Sequence, residues 1–350
     1  MAIFSLPGIA LRGISTAVPI QSEDNETLDL IPEKERKSFV EQTGIRYRRI
    51  APQGMTAADL CVRSVEPLIQ KLNWSADDVD ILIFISQTPD YLIPNTASVI
   101  HQRLGMSKKC IAFDINLGCS GYVYGLSVIG SLLQNIPGGK GLLLVGDCST
   151  SVISRGDKST WPLFSDAGSA TAVEQCAGNI WHFNLQADGS GYEDIMIPSG
   201  GHRNPFAVGS LKPQEYAPGI SRNDLQMKLD GINVFNFSLR EVTPNIQALL
   251  SAINVPQPSV DYFVLHQGNK LMLECIRKKM KEAEAKFPYS LYRFGNTSSA
   301  SIPVTIVTEL QTKLMPQKTN LLLSGFGVGL SWGSIYLTID QPIILPLIEV

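Results

Sequence analysis

The chain has 350 residues, 44% of them apolar, a formal net charge of −3 and an isoelectric point near 5.9. That length buries a large core and suggests about two domain-sized units, while the mildly acidic balance disfavours nucleic acid or an anionic membrane as the main partner. Six cysteines, at 61, 110, 119, 148, 176 and 275, form no Cys-x-x-Cys pair and follow no secretory leader, so reduced thiols in a cytoplasmic protein are expected; four histidines without zinc-like spacing call for no metal and no cofactor.

In chain order, a small basic cluster (Lys34, Arg36, Lys37) comes first; such clusters are usually a solvated helix face, though this one can meet an acidic protein. The run Val79-Asp80-Ile81-Leu82-Ile83-Phe84-Ile85-Ser86 then reads as a buried strand. Asn116-Leu117-Gly118-Cys119-Ser120-Gly121 sets a cysteine between an apolar strand and a helix without charge. A cysteine at the first turn of a helix feels the positive end of the macrodipole and free N–H groups, which favour thiolate. The flanking glycines permit a tight turn and a close substrate approach. Residues 115 to 139 carry no formal charge, but Asn116, Ser120, Gln134, Asn135, Pro137 and several glycines spoil a transmembrane reading and favour a buried central helix. Gly141 to Gly146 reads as a further strand. The Gly- and Pro-rich segment from Ser199 to Asp230 interrupts the pattern as a substrate-side or interface excursion, or as a plain surface loop.

Asp261 to Leu265 reads as a short buried strand that delivers His266-Gln267-Gly268-Asn269 at its carboxyl end. Lys278 to Lys286 reads as an exposed helical segment. Gly295-Asn296-Thr297-Ser298-Ser299 forms a polar turn before a helical run from Val304 to Leu314. Cysteine, histidine and asparagine thus each sit between elements, where open α/β sheets gather ligands. Each also has an ordinary explanation: a small core group, a satisfied histidine, a helix cap. The chain further looks duplicated. Val79 to Ser86 echoes Val260 to His266 at an offset of 181, and Leu142 to Gly146 echoes Leu321 to Gly325 at 179. Two echoes at nearly one offset argue for paired half-domains, residues 1–178 and 179–350, with site groups contributed by both.

These motifs resemble the β-ketoacyl-acyl carrier protein synthase III enzymes of the thiolase superfamily over almost the whole chain. The resemblance runs through Thr43-Gly44-Ile45-Arg46, Asp114 to Gly121, Gly200-Gly201-His202-Arg203, His266 to Asn269, Gly295 to Pro303 and Ser324 to Gly333. It implies the α/β thiolase fold, two pseudo-twofold half-domains in αβαβα layers, a homodimer and a catalytic triad of Cys119, His266 and Asn296. It further implies decarboxylative condensation of an acyl-CoA or acyl carrier protein thioester with a malonyl-type thioester. Cys119 would become acylated, the N–H groups of Cys119 and Val328 would hold the oxyanion, and His266 and Asn296 would hydrogen-bond the extender's enolate. Gly327 belongs to the same turn, and Phe326 would exclude water over the site or simply pack in the core. Asn269, Gln267, Arg46 and Lys270 are candidate substrate or carrier contacts.

Departures from the pattern matter too. Ser38 and Gln42 stand where relatives that prime from coenzyme A carry Trp and Arg; Gly268 and Leu271 replace an Ala and an Arg in the histidine motif. Two alternatives therefore stay open: acyl transfer to an oxygen or nitrogen nucleophile without decarboxylation, and a catalytically weak partner subunit of another synthase. A thiolase is disfavoured because the second-half glycine motif lacks a further cysteine, and a Cys-His-His synthase because Asn296 stands at the second histidine's place.

Overall fold

Strands with apolar residues on both faces must be covered on both faces, and that requirement sets the layering. The computed structural model describes residues 2–314 and 318–350. Its main strands are β1 (Ala2–Val18), β2 (Ile81–Ile85), β3 (Ile111–Ile115), β4 (Lys140–Asp147), β5 (Ala167–Ala187), β6 (Tyr262–Leu265), β7 (Thr319–Gly327) and β8 (Ser331–Ile339). The principal helices are α1 (Glu33–Thr43), α2 (Ala57–Leu72), α3 (Thr96–Arg103), α4 (Gly121–Leu133), α5 (Gly231–Ala252) and α6 (Lys270–Met280).

The strands run in the order β6-β7-β8-β5-β4-β2-β3, with β1 antiparallel along β5. Two layers share the long strands β1 and β5. Residues 167–174 of β5 pair with β4, and residues 182–187 pair with β8. Between them Gly8 and Gly178 take positive φ (77° and 98°) and the β1 register shifts, so both strands pass from one layer to the other. The expected 178/179 boundary falls inside β5, at Gly178.

The duplication appears as repeated pairing. β2 pairs parallel with β4, Ile81 opposite Gly141, and β6 pairs parallel with β7, Tyr262 opposite Leu321. In each half the inner strand then pairs antiparallel with the next, β4 with β5 and β7 with β8.

Between the two layers lies α4, beside a helical run formed by Ser301–Thr305, a π-helical turn Ile306–Leu310 and Gln311–Leu314. α4 carries no charge because it is enclosed: a Cβ at Gly125 would lie 2.4 Å from Ile85 Cδ1, and one at Gly130 would lie 3.0 Å from Leu6 Cδ1. α2 and α3 cover the outer face of the first layer through Leu60, Val65, Leu68 and Ile100. α5 and α6 cover the outer face of the second through Val242, Ile246, Leu273 and Ile276. The result is an αβαβα stack, the thiolase arrangement.

Three local expectations shift. α4 begins at Gly121, so Cys119 stands one residue before its N-cap, Ser120, and outside the first turn. The Lys278–Lys286 run is divided, because Lys281 turns left-handed (φ 58°) and ends α6 at Met280. The 199–230 excursion is held at its base by pairing of Lys228–Leu229 with Ile195–Met196, and carries a hairpin of Gln214–Ala217 and Ile220–Arg222 farther out.

Candidate active site

The turn from β3 to α4 presents Cys119, with the Gly121 N–H donating to the Gly118 carbonyl at 2.7 Å. The glycines around it are there for space. A Cβ at Gly327 would lie 2.7 Å from Cys119 Cβ and 3.0 Å from its Sγ; one at Gly325 would lie 2.9 Å from Ser120 Cα; one at Gly118 would meet Gln87 Oε1 at 2.4 Å. The end of β7 therefore lies directly over the cysteine. Ser331 ties that crossing down, sharing a 2.7 Å hydroxyl contact with Ser120 and donating to the Val328 carbonyl at 2.8 Å.

Burial, and after it the charge of Asp147, push the Cys119 thiol up to about 12. The Ser298 hydroxyl and the backbone N–H groups of Val328 and Cys119 itself lie against the sulfur and favour its thiolate, but burial outweighs them. The thiolate that the helix terminus suggests is thus not the resting form of the enclosed site. Cys119 is held as a thiol until something changes its surroundings.

His266 follows β6, and its N–H continues the ladder to the Ser324 carbonyl at 2.8 Å. Its Nδ1 is 2.8 Å from Ser301 Oγ, and the ring meets Phe326 edge-on at 5.5 Å between centroids. Burial pushes the imidazole down to about 4, against the Ser298 backbone, which favours its proton. The ring is therefore neutral at pH 7. A proton donated by the Ser301 hydroxyl to Nδ1 would leave the ring hydrogen on Nε2.

Asn296 is strapped at both ends of its backbone: its N–H donates to the Leu163 carbonyl at 3.0 Å, and its carbonyl accepts from Ser165 N–H at 2.9 Å. Its Oδ1 accepts from Ser298 N–H at 2.9 Å, which fixes the amide orientation and reserves Nδ2 for donation. Ser298 makes that turn with a left-handed backbone (φ 49°), unusual for a residue with a side chain.

Two cavities meet at Cys119. One, of about 90 Å³, is lined by Cys119, His266, Asn269, Asn296, Phe326 and Gly327 among others. The other, of about 230 Å³, is bounded by Cys119, Gln87, Asn116, Asp147, Met196 and Val328. The base of the 199–230 excursion contributes to the second through Met227, with Ile195 to Ile197 beside it.

The remaining candidates lie elsewhere or do structural work. Asn269 lines the smaller cavity while its Oδ1 caps α6 on Met272 N–H at 2.8 Å. Gln267 is buried, donating to the Leu265 carbonyl at 2.8 Å and accepting from Ser290 N–H at 3.2 Å. Arg46 pairs with Asp24 and Glu26. Lys270 packs where a Cβ on Gly44 would come within 2.7 Å of its own, beside a separate groove.

Sequence reasoning missed Ser298, Ser301 and Asp147. The two serines lay inside the Gly295 to Pro303 motif and read as part of a polar turn. Asp147 closes a strand and touches Ser299, 152 positions away, so no local signal marked it.

The chain matches two family descriptions, 3-oxoacyl-[acyl-carrier-protein (ACP)] synthase III over residues 113–189 and its C-terminal counterpart over residues 250–339. It is 33% identical to a β-ketoacyl-[acyl-carrier-protein] synthase III of Streptococcus agalactiae over 92% of this chain and 96% of that protein. It is 31% identical to the enzyme so named in Chlamydia caviae over 96% of this chain and 98% of that one. A crystal structure of a 3-oxoacyl-(acyl-carrier protein) synthase from Burkholderia xenovorans LB400 superposes with a TM-score of 0.93 at 36% identity, covering 99% of both chains.

Proposed function

Because this chain belongs to the 3-oxoacyl-[acyl-carrier-protein] synthase III family, we propose that it is an acyltransferase that condenses an acyl thioester with a malonyl-type thioester, using Cys119, His266 and Asn296. The observation that carries this reading is the meeting of two cavities at one cysteine: a neutral histidine and an oriented asparagine amide line one, and an acyl-sized space lies in the other.

In the first half-reaction Cys119 sulfur bonds to the donor's carbonyl carbon, and the oxyanion sits between the Cys119 and Val328 N–H groups. The donor's C–S bond then breaks, and its thiolate leaves with the proton that Cys119 gives up. In the second, the extender's C–C bond to its carboxylate breaks and carbon dioxide departs. The enolate oxygen accepts from His266 Nε2–H and Asn296 Nδ2–H. The carbanion attacks the acyl carbonyl, a C–C bond forms, and Cys119 sulfur is released to be reprotonated. Phe326, edge-on to His266, keeps water from the enolate.

The donor is an acyl-CoA or an acyl carrier protein thioester, with exposed Lys270 and nearby Arg46 at the surface where a carrier can rest. The enzyme acts as a homodimer in the cytoplasm. No helix among the described residues is long and apolar enough to cross a membrane.

Intact-protein mass after incubation with acyl-CoA and acyl-carrier thioesters tests the first step: an acyl adduct on the wild type and none on Cys119→Ala is expected. Carbon dioxide release on adding malonyl thioester then separates condensation from transfer to an oxygen or nitrogen nucleophile. No adduct from any donor sinks the reading.

A further inference from the structure

Asp147 is the last residue of β4, 1% exposed, and the steps above make no use of it. A carboxylate buried this deeply is costly unless each oxygen is satisfied. Here each oxygen faces a different half of the molecule. Oδ1 accepts from Gln87 N–H at 2.7 Å and Ser86 Oγ at 3.1 Å, in the loop that leaves β2. Oδ2 accepts from Ser299 Oγ at 2.7 Å and Ser299 N–H at 3.3 Å, in the turn that follows Asn296. Ser299 adjoins Ser298, whose hydroxyl meets the Cys119 sulfur and whose N–H holds Asn296 Oδ1. Gln87 in turn abuts Gly118, the residue before the cysteine.

We propose that Asp147 is a positioning residue: one carboxylate that locks the loop behind Cys119 to the turn carrying Asn296, fixing the nucleophile of one half-domain against the enolate-binding group of the other. This rests on the condensing reaction proposed above. Burial pushes this carboxyl up, and against that the donors from two loops that converge on it favour the ionised form, which accepts at both oxygens. The titratable groups that face it are the thiols of Cys119, of Cys61 on α2 and of neighbouring Cys148. Its charge therefore bears directly on the nucleophile, and its hydrogen bonds bear on the geometry.

Two variants separate these contributions. Asp147→Asn removes the charge and turns one acceptor into a donor that clashes with the N–H groups it faces; Ser299→Ala keeps the charge and loosens one side of the clamp. Iodoacetamide alkylation at the Cys119-containing peptide, followed by mass spectrometry from pH 6 to 11, reads the charge without any substrate: over that range the rate follows the thiolate fraction, so a shift of the midpoint is read as the change in rate at fixed pH. The pH midpoint of alkylation is expected to fall by about half a unit or more in Asp147→Asn and to stay put in Ser299→Ala. Condensation with butyryl-CoA and malonyl-carrier thioester is expected to slow roughly 10- to 100-fold in both, more than acylation does. A structural role alone would lower the melting temperature without moving the midpoint or the ratio of the two steps. Wild-type midpoint and wild-type ratio in Asp147→Asn would overturn the proposal. Where Asp147→Asn does not fold, Ser299→Ala with Ser86→Ala decides it by the ratio. Failure of wild type to acylate with any donor sinks the condensing reading instead, and the alkylation midpoint still decides the contact between Asp147 and Cys119.

Discussion

At Cys119 the opposing effects are the Ser298 hydroxyl and two N–H groups against full burial and a nearby carboxylate, and burial wins by enough to place the thiol at about 12. Alkylation of Cys119 in the unoccupied protein is therefore expected to keep rising beyond pH 10, whereas a surface cysteine would level off sooner. His266 presents the opposite case. Its folded form takes up a proton only near 4, the unfolded one near 6.5. Between those values protons bind the unfolded chain in preference, so the stability that the neutral ring contributes is complete above 6.5 and is lost as pH falls through 4. From this group alone, unfolding free energy should be roughly 2 kcal/mol lower at pH 5 than at pH 7. Urea midpoints at the two pH values in wild type and His266→Gln check it: the acid loss should shrink in the variant. Asn296 cannot titrate, and its role is donation from Nδ2. Asn296→Ala should lower condensation by roughly 100- to 1000-fold while leaving the Cys119 adduct detectable by mass.

At the scale of elements, the site depends on how closely β7 crosses the start of α4. Gly327→Ala drives a methyl to within 2.7 Å of Cys119 Cβ, and either the cysteine or the β7 turn must move. Acylation by butyryl-CoA should fall roughly 100-fold, seen as a slower appearance of the adduct mass. Away from the site, Gly168→Ala sets a methyl 2.7 Å from the Cys61 backbone nitrogen and 2.6 Å from Leu60 Cβ, where β5 meets α2. Its effect should be on stability, about 1–3 kcal/mol by denaturant melts.

Much of this element structure was legible in the chain. Short apolar strands bounded by Asp and Gly carry their own signal, and the two echoes became two parallel pairings with nearly the same spacing. The long strands were not legible: Ala2 to Val18 contains Pro7, Gly8 and Gly13, residues that ordinarily punctuate a strand pattern, and the first two mark where one strand passes between layers. Cys119, His266 and Asn296 stood out because each interrupts a regular pattern. Asp147 and Ser298 did not, because the contacts that matter here, Asp147 with Ser299 and Ser298 with Cys119, reach across to the other half, and nothing in a window of neighbours announces them.

For the whole molecule, what remains open to solvent argues for a second copy. Among the described residues β3 pairs on one side only, with β2, and its first residue, Ile111, is exposed. The loop after β2 carries Tyr91, Leu92 and Ile93, the last two 90% and 88% exposed. An unpaired strand edge beside an exposed apolar loop is a surface that proteins normally cover. Gln87 and Asn116, which wall the larger cavity at Cys119, stand at this same edge and are themselves exposed. Association through this edge would bury the loop and close the acyl space with residues of the second copy. Ile111→Asp combined with Leu92→Lys is therefore expected to convert a dimer to a monomer by light scattering. Because the cavity wall opens with it, acylation should fall roughly tenfold or more even though Cys119, His266 and Asn296 are untouched. A monomeric double variant that acylates at the wild-type rate would show that one chain encloses its own acyl group, and would remove the partner from the catalytic account.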